Sequence, residues 1–154
     1  MTTPAIPYSF AAGQVAASAQ VNANFAYLLS LIGGGQPLFQ ANTTEDVLAG
    51  ALINIYDNAG SVAVRNANAS TPGLIAHGYV LATALSGTAA SVYVSGLVTG
   101  LISLTPGPLY LAPSPGLVTS TAPTTPGQFS QLVGFCADST GQSFVFQPQQ
   151  AFNL

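Results

Sequence analysis

Four times the chain places a hydroxyl residue before Pro-Gly: Thr71-Pro72-Gly73, Thr105-Pro106-Gly107, Ser114-Pro115-Gly116 and Thr125-Pro126-Gly127. Proline presets φ for the second position of a turn, and glycine accepts the positive φ that a type II turn needs at its third, so each pair bends the backbone sharply. A helix cannot run through any of them. Between the bends lie short apolar stretches such as Leu109-Tyr110-Leu111 and Leu117-Val118-Thr119, built from residues that suit a pleated sheet. Strands are predicted at 51–56, 61–65, 74–82, 90–95, 100–103, 109–111, 117–120, 131–137 and 143–147. The first two flank Asp57-Asn58-Ala59-Gly60, and Ile53, Ile55, Val62 and Val64 alternate as a hairpin with one buried face requires. Short strands at close spacing with Gly and Pro turns predict a mainly β fold, a small β-sandwich or jelly-roll-like barrel.

The first 35 residues follow a different rule. Residues 1–12 contain Pro4 and Pro7 without a clean period and read as an extended arm. From Ser18, a candidate cap, Val21, Phe25, Leu28, Leu29 and Ile32 fall at helical spacing, giving a short amphipathic helix that carries no charge. Gly33-Gly34-Gly35 ends it and, with Gln36-Pro37, forms a hinge. A lone helix of this length is marginal in water, so its stripe needs a partner surface and reads as an anchor. The expected organisation is 1–35 as arm, anchoring helix and hinge, and 36–154 as the β domain.

Charge is nearly absent: 3% of the residues are Asp, Glu, Lys or Arg, against about 25% in an ordinary soluble domain. Glu45, Asp46, Asp57, Asp138 and Arg65 carry all of it, for a net charge of −3 and no lysine. Nucleic acid is excluded as an electrostatic partner, because phosphates are neutralised by several cations at once, and anionic membrane surfaces are excluded for the same reason. The mean hydropathy is +0.48, yet no apolar run approaches the roughly 20 residues that span a bilayer. No basic residue precedes an apolar stretch at the N-terminus, so no secretory signal is expected. With so little charge to repel other copies, self-assembly is expected.

Catalysis requires converging titratable groups, and the chain has few to bring together. His77 in GLIAHGYVL would need Asp57 or Asp138 to orient it; a structural hydrogen bond is the expected role. Cys136 in VGFCADS alternates with apolar neighbours and reads as packing, and a single cysteine allows no internal disulfide. Glu45 and Asp46 are adjacent, so their side chains diverge and form no divalent-ion site. Arg65, the only cation, is expected to pair with Asp57 or Asp138, within the chain or across a subunit boundary. The triple glycine lacks the Lys-Ser/Thr that follows in a phosphate loop. No catalytic, cofactor-binding or metal-ligating residue is assigned, and no enzyme activity is expected.

Two blocks carry a resemblance. IPYSFAAGQVAASAQVNANFAYLLSLI, residues 6–32, resembles the N-terminal segment of many tailed-bacteriophage fibre and spike proteins, in which a Gly-x-x-Ala region precedes a Val-Asn-x-Asn-Phe helix. From about residue 51 to 148, INIYDNAGSVAVRNANA, IAHGYVL, LTPGPLYLAPSPGLVTSTAP and QLVGFC resemble in order a small β domain that recurs at the C-terminus of phage virion proteins, among them head decoration and fibre-like proteins. The resemblance implies a trimeric virion structural protein without enzyme activity, on the exterior of the particle. The chain has no long shaft, collagen-like repeat or large carbohydrate-binding insertion, which favours a compact decoration or cement protein on the major capsid protein. The alternative is a short tail or head fibre or spike subunit whose β domain touches a host glycan, with Tyr79, Tyr93 or Tyr110 stacking on sugars.

Overall fold

The computed structural model describes Tyr8 and residues 17–32, 37–99, 104–137 and 139–154, the side chains of 26–32 excepted. Two compact units divide the chain, Met1–Gln36 and Pro37–Leu154. The expected arm, apart from Tyr8, and the Gly33–Gly35 hinge lie outside the described residues.

In the first unit, helix α1 spans Ser18–Ile32. The carbonyl of Ala17 accepts from the amides of Gln20 and Val21 at 2.9 and 3.1 Å, so Ala17, not Ser18, takes the capping position. Asn24 extends its carboxamide back to Tyr8: Oδ1 accepts the Tyr8 amide at 3.0 Å and Nδ2 donates to the Tyr8 carbonyl at 2.8 Å. That pair imitates one rung of a β-ladder and ties the incoming chain to the helix. Val21 is half-buried, whereas Phe25 is 61% exposed. The side chains of Leu28, Leu29 and Ile32 lie outside the described residues.

The second unit is mainly β, as the turn punctuation predicts. Its first strands are β1 Phe39–Thr43, β2 Leu52–Asn58, β3 Ser61–Asn66, β4 Gly78–Tyr79 and β5 Ala89–Val92, in the sheet order β4-β2-β3-β1-β5. β2 and β3 form the expected hairpin, with Asn58 opposite Ser61. Ala59 and Gly60 turn it with φ of 53° and 86°, the two positive values a type I′ turn requires. β1 then joins β3 in parallel and β5 antiparallel. The sheet curls into a half barrel, and its edges are bridged by Tyr79 and Tyr93, which exchange backbone hydrogen bonds of 2.8 and 3.0 Å. So narrow a ring leaves room only for small side chains. Ala41, Val64, Ala90 and Val92 pack there around Ile53.

Seven further strands follow: β6 Gly96–Thr99, β7 Gly107–Leu111, β8 Val118–Thr119, β9 Phe129–Ser130, β10 Leu132–Cys136, β11 Ser143–Phe146 and β12 Phe152–Asn153. Five of them form a sheet of order β6-β11-β10-β7-β8, and β9 pairs with β12. Successive strand residues point to opposite faces. Thus Ile53 enters the ring, while Leu52 joins Tyr79, Leu109, Leu111, Phe144 and Phe146 in a second core that the outside of the ring shares with the other sheet. Cys136 is buried in that core.

Three of the four Pro-Gly sites close as hydrogen-bonded turns: Leu74 to Thr71, Leu117 to Ser114 and Gln128 to Thr125, at 3.2, 3.3 and 3.1 Å. Their glycines have φ of 82°, 73° and 86°, close to the value of about 80° for the third position of a type II turn. At Gly107 the next residue is Pro108, which has no N–H to close a turn, and the chain enters β7 directly.

Some expectations need correction. No strand is predicted before residue 51, yet β1 is an interior strand of the first sheet. The strand expected at 74–82 shortens to Gly78–Tyr79. Val62, assigned to the buried face, is 58% exposed, because the hairpin tip extends beyond the ring that covers Val64. The strand expected at 100–103 lies outside the described residues; β6 precedes it.

Candidate functional site

Each described carboxylate holds a backbone amide. Glu45 Oε1 accepts from Asn66 at 2.6 Å, Asp46 Oδ1 from Ser86 at 2.8 Å and Asp57 Oδ1 from Gly60 at 3.0 Å. Adjacent Glu45 and Asp46 diverge, one to the end of β3 and the other to the loop before β5. Among the described residues, no group of three His, Cys, Asp or Glu side chains converges to hold a metal ion.

The polar centre of the second unit is Asn54 on β2. It is 1% exposed; its Nδ2 donates to the carbonyls of Gly73 and Ile75 at 3.0 and 2.9 Å, and its Oδ1 accepts from Arg65 Nε at 3.1 Å. Arg65 lies opposite Asn54 in the β2–β3 register, with its Cζ 4.1 Å from the centre of the Tyr56 ring. Within the chain, Arg65 is therefore held by Asn54 and not by Asp57, which stands opposite Val62 and closes the hairpin turn with its carboxylate. Asp138, the other expected partner, lies outside the described residues.

His77 reaches the same strand. Its Nδ1 accepts the Ile55 amide at 3.0 Å, which requires an unprotonated Nδ1 and leaves the proton of the neutral ring on Nε2. Burial pushes its pKa below the ordinary 6.5. A histidine with a lowered folded pKa stabilises the fold above its unfolded value and loses that contribution as pH falls toward the folded value, because the unfolded chain takes up the proton first. Urea midpoints compared at about pH 7.5 and 5.5 are expected to be lower at the acid end, and His77→Gln is expected to remove most of the difference. A midpoint indifferent to pH over that interval would contradict the assignment.

His77 also lines a cleft of about 510 Å³ with Phe129, Gln131, Pro148, Gln149 and Asn153. Gln131 is 2% exposed and grips the backbone from this wall: Oε1 accepts the Ala76 amide at 2.8 Å, while Nε2 donates to the carbonyls of Ala76 and Gln149 at 3.0 and 3.1 Å. Among the described residues, the lining offers carboxamides and backbone groups around His77, with no carboxylate, thiol or hydroxyl side chain.

On the outer face of the second sheet, Leu97, Val145, Phe135 and Pro108 stand opposite one another across β6, β11, β10 and β7. Leu97, Phe135 and Pro108 are exposed and Val145 is half-buried, forming an uncharged apolar row. The tyrosines considered for sugar stacking are placed differently. Tyr79 is 0% exposed, stacked on Tyr93 at 5.3 Å and edge-on to Phe146 at 5.3 Å; Tyr93 and Tyr110 are half-buried. Tyr79 is a core residue and offers no platform.

The carboxamides of Asn24, Asn54 and Gln131 went unnoticed in the sequence. Their signal is faint: Asn54 and Gln131 are polar residues inside or beside apolar strand runs, and Asn24 is the second asparagine of the Val-Asn-x-Asn-Phe stretch.

No protein family matches the chain, and no curated protein matches it in sequence. Among solved structures it is similar to the N base of head fiber gp8.5 of bacteriophage phi29, with a TM-score of 0.51 and 14% identity over 71% of this chain and 92% of that one. The two share a fold. No helix among the described residues is long and apolar enough to cross a membrane.

Proposed function

We propose that the protein is a structural component of a phage virion, attached to the outside of the head as a decoration or cement protein and assembled as a homotrimer on the major capsid protein. The carrying observation is the fold shared with a head fiber base across nearly the whole of that chain. The site chemistry is consistent with it: the described carboxylates brace loops and turns. Such a protein works through contact area. Uncharged, apolar contacts are little affected by salt, which suits a particle that passes between environments. We assign the anchor to Val21, Phe25, Leu28, Leu29 and Ile32 of α1, with the glycines after it as a hinge and the β unit outward.

A head fibre or tail spike subunit whose β unit meets a host surface glycan is the second reading, favoured by the likeness to a head fiber base. Phage particles lacking the protein separate the two. The cement reading expects heads that rupture at lower temperature and recover when purified full-length protein is added, with adsorption unchanged. The fibre reading expects intact thermal resistance and slower adsorption. Particles equal to wild type in both respects would reject the virion role. A chain beginning at Gln36 is expected to stay β-rich by circular dichroism yet fail to decorate; binding as tight as that of the full chain would relocate the anchor to the β unit.

A further inference from the structure

Arg65 is the one Lys or Arg in the sequence, and it is held from two sides. Its Nε donates to Asn54 Oδ1 at 3.1 Å, and Asn54 is itself buried and pinned through Nδ2 to two backbone carbonyls. One face of the guanidinium lies over Tyr56, whose hydroxyl donates to Thr44 Oγ1 at 2.8 Å. Of the five guanidinium N–H donors, only the Nε one is engaged; the Nη edge has no partner among the described residues. The carboxylates of the same sheet are bonded elsewhere, Glu45 to Asn66, Asp46 to Ser86 and Asp57 to Gly60. The side chain is half-buried, leaving one edge open.

A solvated surface arginine needs no such scaffold, since fixing a long side chain costs rotamer entropy. A planar fork fixed at Nε and stacked on one face presents two parallel Nη donors, which match a carboxylate. A phosphate would also fit the fork, but a chain of net charge −3 with one cation disfavours a dianion. We propose that Arg65 is a preformed receptor for a carboxylate, supplied by an aspartate or glutamate side chain of a neighbouring protein on the particle surface to which α1 anchors the chain. Only the source of the carboxylate rests on the virion reading; the receptor is a property of β2 and β3.

Because the chain has a single arginine, its guanidinium nitrogen signals are unambiguous in NMR spectra of the full-length protein. Sodium acetate, titrated at constant ionic strength, is expected to move them saturably, while acetamide does not and inorganic phosphate acts more weakly. Signals that respond to acetate no more than to acetamide would overturn the receptor, and a preference for phosphate would overturn its carboxylate specificity. In binding to particles that lack the protein, Arg65→Gln is expected to lose about tenfold or more in affinity, and Arg65→Lys to recover only part, since an ammonium has no fork. Wild-type affinity in Arg65→Gln, or full recovery in Arg65→Lys, would overturn the docking role. If Arg65→Gln does not fold, the acetate titration of the wild-type chain decides. Wild-type protein that binds no particle would refute the virion reading, while the same titration still decides the receptor.

Discussion

Gly134→Ala is expected to lower stability by about 3 kcal/mol or more, enough to deplete the folded state of a protein with ordinary marginal stability. Gly134 lies in β10 opposite Phe146 and Leu109, where the register shifts between Leu132 and Gly134. Its φ is 155°, and a Cβ there would run into the Val145 carbonyl and come within 3.2 Å of the Phe144 ring. The obstruction on the β11 side is backbone already committed to the sheet, so relief requires moving a strand and the aromatic core behind it. The comparison is Gly73→Ala in a Thr-Pro-Gly turn, where φ is +82° and nothing lies within 4 Å of the added carbon; strain alone costs about 1 to 2 kcal/mol there. Denaturant midpoints of the two variants and the wild type check the order, and equal losses would show that the ladder gives way more easily than its packing implies.

Gln131→Leu is expected to cost about 3 kcal/mol or more, although it keeps the residue's bulk and raises its hydrophobicity. The substitution leaves the Ala76 amide and the carbonyls of Ala76 and Gln149 without the three bonds that Gln131 now makes. Buried polar groups that lose their partners cost about 1–3 kcal/mol each. Thermal unfolding measures the total, and hydrogen exchange at the Ala76 amide reports the local opening. Unchanged exchange at that amide would mean that water replaces the glutamine without loss.

These residues also mark the boundary of what could be read from the sequence. Pro-Gly pairs and the Asp57–Gly60 segment act through local backbone preferences, so the turns and the β2–β3 hairpin were legible. β1 was not, because Phe39-Gln40-Ala41-Asn42-Thr43 carries polar residues and follows a glycine run, and its strand character comes from β3 and β5 on either side. The Tyr79–Tyr93 bridge is likewise a product of sheet curvature, and it places in the core a tyrosine that only the alternative, glycan-binding reading set against a sugar. Arg65 was singled out for its charge, and within the chain an amide oxygen and an aromatic face hold it, neither of which local sequence signals. Local sequence contains no term for a partner supplied by the neighbouring strand's register. The burial of Cys136 was legible because it sits in an apolar strand run.

The central claim, a structural role on the phage head, is tested most directly by locating the protein on the particle. Electron cryomicroscopy of virions carrying a small label at the C-terminus of the full-length protein is expected to show density outside the head shell, clustered in threes. Label confined to the tail would move the protein to the spike reading, and purified virions without any label would contradict the account.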